Sequence, residues 1–484
     1  MPSPLIRDLQ ALTARTFDVL VVGGGIYGLI VACDAAQRGL AVALVDRNDF
    51  GSGTSFNHLR TIHGGLRYLQ TLDLRRARES VRERRTIARI APWAVRPLPF
   101  VLPLTRSLMK GATAMRAGFT LDRLVASDRN EGVPETHQTP AGRVVSRDEA
   151  RRAWPHLDSI EFSTAAIWYD YVTVEADRLT FAWALAAAAH GAQLANYVEA
   201  EALTADAGRV TGARLIDRIS GEAFQVSARC VINATGAAID RLLMPFGAAI
   251  RVPMLQAINI VTARAVPPVA VGGRSASGRN LFLVPWRGRA LFGTWESATA
   301  CAPDALGVRD EDLRTFLAEL NQAFPSYRLT PDEVTMVHRG VVPARVRADG
   351  TPALEGRELI FEHSAQGLRG TISVAGTKYT TARAVAERIV DRIFALLGRP
   401  VPECVSATTP LPHVALEGQA LLAHAATNEM VVTLADAVMR RTPLGALGLP
   451  DAAELLNSAT VVGGLLGWSP DKQRDEIAAL RRMY

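Results

Sequence analysis

The chain has 484 residues, of which 48% are hydrophobic and 21% are charged. This composition excludes a disordered protein, and the length excludes a single small domain, so two or three packed units are expected. The formal net charge of +6 is spread over many arginines. By itself it does not decide between nucleic acid, an anionic membrane surface and a phosphorylated substrate as the partner.

The first 46 residues predict a βαβ unit. Phe17 to Val22 is a short apolar run typical of a buried strand, and Ile26 to Arg38 has a helical pattern that stops at a glycine. Leu40 to Val45 is a second strand pattern. Strand, helix and strand in this order predict a parallel pair of strands with the helix crossing between them.

A glycine cluster between that strand and helix has the spacing of a dinucleotide-binding loop. Gly23 permits a tight turn, Gly25 lets the backbone approach a diphosphate, and Gly28 lets the helix pack closely on the strand. The helix N-terminus supplies N–H groups and a partial positive charge. Asp46 ends the second strand, where it is placed either to accept hydrogen bonds from ribose hydroxyls or simply to meet solvent.

Three helical patterns follow. From Asp73 to Ile90, Arg and Glu alternate at helical spacings, which predicts a polar face that partly neutralises itself. Residues 105–125 alternate basic and apolar positions, so this segment either lies on a membrane or covers a core. An Ala-rich helix is expected over about 176–190.

Strand patterns occupy residues 193–235, 249–295 and 332–375. The Ala-Pro-rich text around 263–280 predicts a loop, and residues 310–323 predict a helix. These segments indicate a sheet-rich middle of the chain.

The stretch CVINATG, from Cys230 to Gly236, ends one of these predicted strands. Small residues there, such as Thr235 and Gly236, allow close approach to a diphosphate. In two-domain flavoproteins an Ala-Thr-Gly at such a strand end has this place, so the motif favours FAD over NAD.

The segment GSGTSFNHLRTIHGGLRYLQ, residues 51–70, resembles the FAD-dependent glycerol-3-phosphate dehydrogenases, whose pattern here is close to ATSS…KLIHGGLRYLE. The likeness extends over nearly the whole chain. It continues through RESVRERR, APWAVRPLPFVLP, VEADRLT, NATG, FLVPWRGRALFGT, VAGTKYTTARAVAE and NEMVVTLADAVMRRTPLG.

We therefore expect an α/β fold with a Rossmann-like FAD-binding domain, interleaved with a mixed-sheet substrate domain, and a C-terminal all-helical domain. Amphipathic patterns at 415–441 and 470–483 support the last of these. The expected boundaries are 1–100, 150–245 and 365–400 for the FAD-binding domain, 101–149 and 246–364 for the substrate domain, and 401–484 for the helical domain.

The resemblance implies hydride transfer from a secondary alcohol carbon to flavin N5, with glycerol 3-phosphate or a related polyol or sugar phosphate as substrate. It implies catalytic roles for His63, Arg67 and Lys378. It implies substrate contacts for Arg67, Tyr68, Asn259, Val342, Arg357 and Thr381. It implies FAD contacts for Gly23, Gly25, Ile26, Gly28, Asp46, Arg47, Thr54, Ser55, His63, Gly64, Gly65, Val198, Thr235, Gly236, Gly376, Lys378, Tyr379 and Thr380.

Two of these roles have ordinary alternatives. An arginine suits a phosphate because its planar guanidinium donates two hydrogen bonds at once, but Arg67 and Arg357 could instead make surface salt bridges. His63 could act as the base that accepts the hydroxyl proton, or it could only orient the flavin.

The chain departs from the family pattern in the expected substrate site. Val342 stands where the family has the arginine of GVRP, and Gln256 to Asn259 replace a KGSH-like stretch. Losing two or three charges leaves an anionic group or developing alkoxide less stabilised. Either the substrate differs, or neighbouring residues compensate; Trp295 and Glu296 could also line the altered pocket.

The alternative function is a flavin oxidoreductase that acts on a non-phosphorylated alcohol or an amine. No pattern typical of RNA binding is present, so nucleic acid is not expected as a partner. The electron acceptor stays open between quinone, oxygen and a carrier protein, and homodimer formation stays open too.

Widely spaced cysteines without a CxxC pair argue against a metal site and a disulfide framework. The N-terminus lacks the pattern of a signal peptide, and no apolar run reaches 18 residues. We therefore expect a cytoplasmic protein, and any contact with the cell membrane would be peripheral, on its inner face.

Overall fold

The computed structural model describes residues 3–69, 71–104, 111–155, 157, 162–305 and 307–484. Its strands are β1 (Phe17–Val22), β2 (Val42–Val45), β3 (Thr61–Ile62), β4 (Val95–Leu104), β5 (Arg143–Ser146), β6 (Thr164–Thr173), β7 (Gln193–Ala195), β8 (Val198–Asp206), β9 (Arg209–Asp217), β10 (Ala223–Asn233), β11 (Met254–Thr262), β12 (Ala270–Arg274), β13 (Asn280–Trp286), β14 (Arg289–Glu296), β15 (Val334–Val346), β16 (Pro352–Leu354), β17 (Leu359–Glu362) and β18 (Thr371–Ala375).

Its α-helices are α1 (Leu9–Thr13), α2 (Ile26–Gln37), α3 (Leu66–Leu69), α4 (Leu74–Ile90), α5 (Ala112–Val125), α6 (Arg147–Ala153), α7 (Ala176–Ala189), α8 (Asp310–Ala323), α9 (Ala382–Leu396), α10 (Gly418–Asn428), α11 (Ala452–Leu466) and α12 (Pro470–Arg481). A π-helical segment, Asp436–Arg441, lies between α10 and α11. The expected α/β class with a helical C-terminal part is confirmed.

The first sheet is built around β1, which pairs in parallel with β2 on one side and β10 on the other. Every residue of β1 is buried, and apart from Asp18 all are apolar, as is typical of a strand covered on both faces. The order along the sheet is β17-β18-β10-β1-β2-β7. The predicted βαβ unit is confirmed, and the carboxyl ends of β1, β2, β10 and β18 meet at one edge of the sheet.

The second sheet has the order β16-β15-β11-β14-β13-β12-β4-β6-β3, with β5 added on β6. Its strands come from two stretches of the chain, residues 61–173 and 254–354; β3, β6 and the first part of β4 lie in stretches that we assigned to the FAD-binding domain. The chain therefore crosses between the sheets as often as the expected boundaries imply, but it enters the second sheet earlier, at β3, and leaves it later, after β6.

The stretch 263–280, expected to be a loop, contains β12, so this prediction was wrong in part. The strand has the sequence AVGGR, which carries little strand propensity. It is held by antiparallel pairing with β13 and parallel pairing with β4. A Cβ at Gly272 would press on Leu102 and Phe282, so the glycine lets neighbouring side chains cover the strand.

The charges of α4 do not neutralise one another along the helix, as the sequence had suggested. They pair instead with other elements: Glu83 with Arg383 at 2.6 Å, and Arg84 with Asp170 at 2.8 Å. Glu83, Arg84 and Arg383 are buried. Tertiary partners prevail because α4 is packed between other elements, where a buried charge needs a fixed partner.

The basic amphipathic segment 105–125 is described only from residue 111 onward. There, α5 buries Phe119 against Leu104 and Ala166 of the second sheet. The described part of the segment therefore covers a core, while residues 105–110 lie outside the described residues. No helix in the described ranges is long and apolar enough to cross a membrane.

The C-terminal helical unit, residues 418–484, packs on the second sheet. Leu422, Leu434 and Val438 join a cluster with Phe100 and Trp286 of that sheet. Burial of this apolar surface attaches the unit to the body of the molecule.

Candidate active site

The glycine loop after β1 opens a cleft at the carboxyl edge of the first sheet. Gly23 has φ +106°, a conformation that side chains disfavour. A Cβ at Gly28 would overlap the carbonyl oxygen of Gly23, so α2 can approach the loop only because Gly28 has no side chain. At Gly25 only the Ser55 hydroxyl is near, at 3.2 Å, which leaves this backbone open to the cleft.

Ser55 lies at the N-terminus of α2. Its hydroxyl accepts a hydrogen bond from the Ile26 N–H at 2.8 Å. The N–H groups of the first helical turn have no partner inside a helix, and together with the helix dipole they form a site for an anion such as a diphosphate.

Asp46 stands at the end of β2 on the wall of the cleft. The Gly24 N–H donates to its Oδ2 at 2.6 Å and the Asn48 N–H to its Oδ1 at 2.7 Å. Withdrawal from water raises the pKa of the Asp46 carboxyl to about 6, although both N–H groups oppose this shift. Each oxygen keeps a further lone pair for a ribose hydroxyl.

The end of β10 lies directly beside the glycine loop. The Ala234 N–H donates to the Val22 carbonyl at 2.8 Å, and a Cβ at Gly23 would overlap the Ala234 carbonyl. Thr235 and Gly236 follow and line the same cleft. The ATG motif therefore lies where the sequence placed it, beside the dinucleotide loop.

The cleft contains about 1660 Å³ of atom-free space counted out to its open mouth. The predicted cofactor residues that line it are Gly23, Gly25, Ile26, Asp46, Arg47, Thr54, Ser55, Val198, Thr235, Gly236, Gly376, Lys378 and Tyr379. Gly28, His63, Gly64, Gly65 and Thr380 do not line it. Gly28 packs behind the loop, and the other four belong to the adjoining HGG loop, defined here as residues 63–65 together with its partner Thr380.

His63 is held at both ring nitrogens. Its Nδ1 lies 3.0 Å from Oδ2 of Asp170, and its Nε2 lies 2.9 Å from the Thr61 hydroxyl. Because a carboxylate only accepts, Nδ1 carries the proton and Nε2 accepts from Thr61. The His63 N–H donates to the Thr380 hydroxyl at 3.2 Å, and 46% of the imidazole side chain remains exposed.

Asp170 on β6 is the buried anchor of this loop. It accepts from the Gly64 N–H at 2.7 Å, from Arg84 at 2.8 Å and from the Trp168 indole at 3.2 Å. Burial would raise the pKa of Asp170, but His63 and Arg84 outweigh it and hold the pKa below the ordinary value. The carboxylate therefore stays ionised and fixes the orientation of His63.

A group of cations surrounds the ring of Tyr68. Lys378 Nζ lies 4.6 Å from the ring centroid, and the guanidinium carbons of Arg67 and Arg76 lie at 5.6 and 5.7 Å. Lys378 also lines the cleft. We call Arg67, Tyr68, Arg76 and Lys378 the Tyr68 cluster; it joins the cofactor cleft to a positively charged surface.

Asn259 and Val342 share one face of the β11–β15 pair, because Leu255 pairs with Val342 and Asn259 with His338. Val342 lines the cleft. Asn259 is fully buried: its side-chain amide donates to Oδ1 of Asn57 at 2.7 Å, and its Oδ1 accepts from the Thr294 hydroxyl at 2.8 Å. Asn259 therefore supports the cleft wall from behind, and Val342 packs with the apolar residues Leu255, Ala257 and Ala344.

Gln256 points to the opposite face of β11. Its amide donates to the carbonyls of Ala305 and Gly307. Position 256, where the KGSH-like stretch has its lysine, therefore lies on a different face from Asn259 and Val342. The sequence had suggested that all three positions belong to one altered site.

Glu296 interacts electrostatically with Arg67 of the Tyr68 cluster, whereas Trp295 is buried in the core of the second sheet, and neither residue lines the cleft. Glu296 pairs with Arg279, whose guanidinium also lies over the Trp295 ring at 5.8 Å. The pKa of the Glu296 carboxyl is raised above its ordinary value, because burial and, to a smaller extent, the nearby Glu319 outweigh the opposing effects of Arg279 and Arg67. The Glu296 carboxylate thus interacts with Arg67 and partly offsets the positive charge of the Tyr68 cluster.

The two remaining substrate candidates do not line the cleft. Arg357 is exposed; its N–H donates to Glu355 at 2.9 Å, and Gly356 adjoins Arg76. Thr381 is buried at the start of α9. Neither side chain is brought into the group formed by Arg67, Tyr68 and Lys378.

Residues 18–392 match the family described as DAO, FAD dependent oxidoreductase. The chain belongs to this family. FAD is accordingly its cofactor, as the glycine loop, Asp46 and the ATG motif indicated.

Relatives agree with the resemblance seen in the HGGLRYL stretch. A glycerol-3-phosphate dehydrogenase of Synechocystis sp. is 30% identical over 424 residues, covering 84% of this chain and 75% of that protein. The mitochondrial glycerol-3-phosphate dehydrogenase of Rattus norvegicus is 33% identical over 425 residues, covering 81% and 55%. The chain thus spans about half the length of this mitochondrial relative.

Solved structures show the same fold. The glycerol-3-phosphate dehydrogenase from Bacillus halodurans complexed with FAD superposes with a TM-score of 0.74 at 21% identity, covering 98% of this chain and 96% of that one. Glycine oxidase from Geobacillus kaustophilus has a TM-score of 0.57 at 20% identity, covering 83% and 100%.

The residues of the cleft fit FAD. A partly buried carboxylate at Asp46 suits a ribose, the N-terminal turn of α2 suits the diphosphate, and glycines at 23 and 25 leave room for both. At the other end of the cleft His58 stacks on Tyr379, with ring centroids 4.8 Å apart. Burial, with help from Arg60, keeps the pKa of His58 well below its ordinary value, so the His58 ring itself is uncharged.

Three residues with evident roles were missed in the sequence. Asp170 stands alone in the aromatic and β-branched run AAIWYDYVT, and an acid inside such a strand is a usable signal. Arg76 looked like one charge among many in α4. Asn57, which donates to the Ala257 carbonyl at 2.7 Å and accepts from Asn259, had no signal in the sequence.

Proposed function

We propose that this FAD-dependent oxidoreductase oxidises the secondary alcohol of glycerol 3-phosphate, or of a closely related polyol phosphate, to the ketone. The observation that carries the proposal is the Tyr68 cluster. Three cations surround one ring, and one of them, Lys378, also lines the FAD cleft. A phosphate held there stays close to the cofactor, and guanidinium groups are suited to bind it in pairs.

When bound, FAD supplies the hydride acceptor. The chain must bind the anion, orient the reacting carbon and take the hydroxyl proton. In this proposal Arg67, Arg76 and Lys378 bind the phosphate, and Tyr68 fixes their positions. His63 accepts the hydroxyl proton at Nε2, with the Thr61 hydroxyl turning away to make room.

Asp170 supports that role by geometry and charge. Its ionised carboxylate holds Nδ1–H of His63, which leaves Nε2 as the acceptor and stabilises the imidazolium that forms. Removal of the proton from the hydroxyl and departure of the hydride from the carbon then leave a neutral ketone.

The altered wall at Val342 and Asn259 restricts which substrates fit, but it does not exclude glycerol 3-phosphate. Val342 and Leu255 are apolar, so the end of the substrate that faces them carries no charge. A hydroxymethyl end, as in glycerol 3-phosphate, meets this condition, whereas a second anionic group would be buried without a partner.

The test is anaerobic bleaching of the flavin band with a matched set of compounds. Glycerol 3-phosphate should bleach the flavin, whereas glycerol 2-phosphate, which has the same charge but no free secondary hydroxyl, and glycerol, which has no phosphate, should be far weaker. Bleaching by amino acids alone would establish the rival amine-oxidising function.

We also propose that the surface around α3 to α5 meets the electron acceptor, a quinone at a membrane surface. Leu72 and Leu124 are each 72% exposed there, and Leu74 is 44% exposed. Exposed apolar side chains together with arginines suit an anionic bilayer. Cell fractionation at low and high salt tests this, since a protein found wholly in the soluble fraction at both would contradict it.

A further inference from the structure

The family match ends at residue 392, so the C-terminal helical unit lies outside it, yet this unit reaches the FAD-binding domain. It does so through buried charges rather than through the apolar cluster that attaches it to the second sheet. The buried charge that it meets is Asp49, the last residue of the ribose turn, which is defined here as residues 46–49.

Asp49 is almost completely buried and is bound by three side chains. Arg441 donates to both of its oxygens, at 2.7 and 2.9 Å, and Arg440 Nε donates at 2.6 Å. The Asn196 amide donates at 3.1 Å. Both arginines belong to the π-helical segment Asp436–Arg441.

Further bonds hold the same turn and segment together. The Tyr197 N–H donates to the Asn48 carbonyl at 3.1 Å, and the Tyr197 hydroxyl donates to Asp436 at 2.8 Å. Asp436 pairs in turn with Arg440 at 2.5 Å. One tyrosine therefore spans from the ribose turn to the C-terminal segment.

Arg441 is fixed from its other side as well. Its guanidinium lies over the Phe181 ring of α7 at 3.7 Å, and its Nε donates to the Glu429 carbonyl at 3.3 Å. Glu429 in turn binds Arg178 of α7 through both oxygens, at 2.5 and 2.9 Å. These contacts hold the guanidinium groups of Arg441 and Arg178 in one arrangement. A buried ionic network can fix the position of a neighbouring segment only if its own groups are held in this way.

Backbone bonds anchor the start of the ribose turn: the Asp46 N–H donates to the Ala195 carbonyl at 3.1 Å, and the Val198 N–H donates to the Asp46 carbonyl at 2.7 Å. The carboxylate of Asp46, three residues before Asp49, lies on the cleft wall and accepts from the backbone N–H groups of Gly24 and Asn48. A shift at Asp49 would displace Asn48 and hence one of these two bonds.

We propose that the C-terminal helical unit is part of the FAD site: Arg440 and Arg441 position the ribose turn through Asp49, so that docking of the unit and binding of FAD are coupled. The coupling is reciprocal: if docking of the unit strengthens FAD binding, then FAD binding stabilises the docked unit by the same factor. FAD should therefore stabilise the docked state of residues 429–441, a region that does not line the cleft.

The first test uses Arg441→Met and Arg440→Met in the full chain, with Arg129→Met as the matched control. Arg129 makes a largely buried ion pair at 2.9 Å with Asp122 of α5, an element outside the ribose turn and the C-terminal unit. Apoprotein is titrated with FAD below its melting temperature and binding is followed by flavin fluorescence. We expect the two test variants to raise the Kd for FAD by about 5- to 150-fold, and the control to leave it unchanged.

Thermal melting of each apoprotein separates positioning from stability. If Arg441→Met and Arg440→Met lower the melting temperature but leave the Kd for FAD at the control value, the network is only structural and the proposal is overturned.

The second test needs no substitution and stays valid if the variants fail to fold. Hydrogen exchange of peptides covering 429–441 is measured in the wild-type apoprotein and holoprotein. Slower exchange with FAD supports the coupling, and equal exchange overturns it. Neither readout depends on the substrate, so failure here would leave the proposed function untouched.

Discussion

The guanidinium of Arg84 occupies the space that a side chain at Gly64 would need. A Cβ built on Gly64 would lie 2.6 Å from Cζ of Arg84. The same guanidinium binds Asp170, which also accepts the Gly64 N–H and holds His63. The first glycine of the HGG motif thus makes room for a buried ion pair, and this pair orients the neighbouring histidine.

Gly64→Ala should displace Arg84 and leave Asp170 without its arginine partner. Loss of one partner of a buried pair costs about 3–5 kcal/mol, so chemical unfolding of the variant should show a loss of this order. Gly118→Ala on α5 is the control, because nothing lies near its Cβ and alanine favours a helix. An unchanged stability in Gly64→Ala would show that Arg84 can move at no cost.

Asp170→Asn should keep FAD but slow flavin reduction. Without the carboxylate, the tautomer of His63 is no longer fixed and the imidazolium is no longer stabilised, so kcat should fall by about 100-fold with little change in KM. Stopped-flow reduction with glycerol 3-phosphate measures this effect. Loss of FAD at unchanged reduction rate per bound flavin would reassign Asp170 to a role in the fold.

Thr61 offers a finer test of the same chain of bonds. Thr61→Ser retains the hydroxyl that lies on His63 Nε2, whereas Thr61→Val removes it at nearly constant shape. If His63 is the proton acceptor, the Thr61→Ser variant should reproduce the wild-type pH profile of kcat, whereas the Thr61→Val variant should have a shifted profile. Identical profiles for Ser and Val would show that this hydroxyl has no part in proton transfer.

Arg76→Ala should raise KM for the phosphorylated substrate while leaving FAD bound. A hydrogen bond to a charged group contributes about 1.5–3 kcal/mol, which corresponds to roughly a 10- to 100-fold change in KM. Arg75→Ala is the matched control, since Arg75 is the exposed neighbour on the same helix. Equal effects of the two changes would remove Arg76 from the phosphate site.

FAD affinity should fall as the pH falls below about 6, the value to which burial raises the pKa of Asp46 in the apoprotein. Ribose hydroxyls donate to the ionised carboxylate, so below this pKa FAD must displace a proton, and Kd rises by up to about tenfold per pH unit. Titration of apoprotein with FAD at several pH values measures the effect.

The stability of the apoprotein should move the opposite way. Because the folded pKa of Asp46 lies above the unfolded one, its contribution to stability is present at low pH and is lost as the pH rises through about 6. Asp46→Asn should bind FAD more weakly and without this pH dependence. A Kd that stays constant from pH 7 to 5 in the wild type would contradict the assigned role of Asp46.

Features set by neighbours in sequence were predictable. The strand, glycine loop and helix from Phe17 to Gln37 form one local unit, and the spacing of Gly23, Gly25 and Gly28 follows from the turn it must make. Asp46 is close enough in sequence to belong to the same pattern.

Features set by distant partners were not predictable. The α4 charges resemble a self-neutralising helix until Arg84 is seen to meet Asp170 and Glu83 to meet Arg383. β12 has weak strand propensity and is held by its neighbours, and tertiary pairing overrides propensity in such cases. Likewise, Gln256 and Asn259 read as one altered motif but point to opposite faces of β11.

The most direct test of the central claim is a single-turnover reduction of the holoprotein by glycerol 3-phosphate, unlabelled and deuterated at C2. We predict that the flavin band bleaches, that deuterium at C2 slows the bleaching, and that glycerol 2-phosphate at the same concentration leaves the flavin oxidised. Failure of glycerol 3-phosphate to bleach the flavin while glycerol or an amino acid does so would contradict the account.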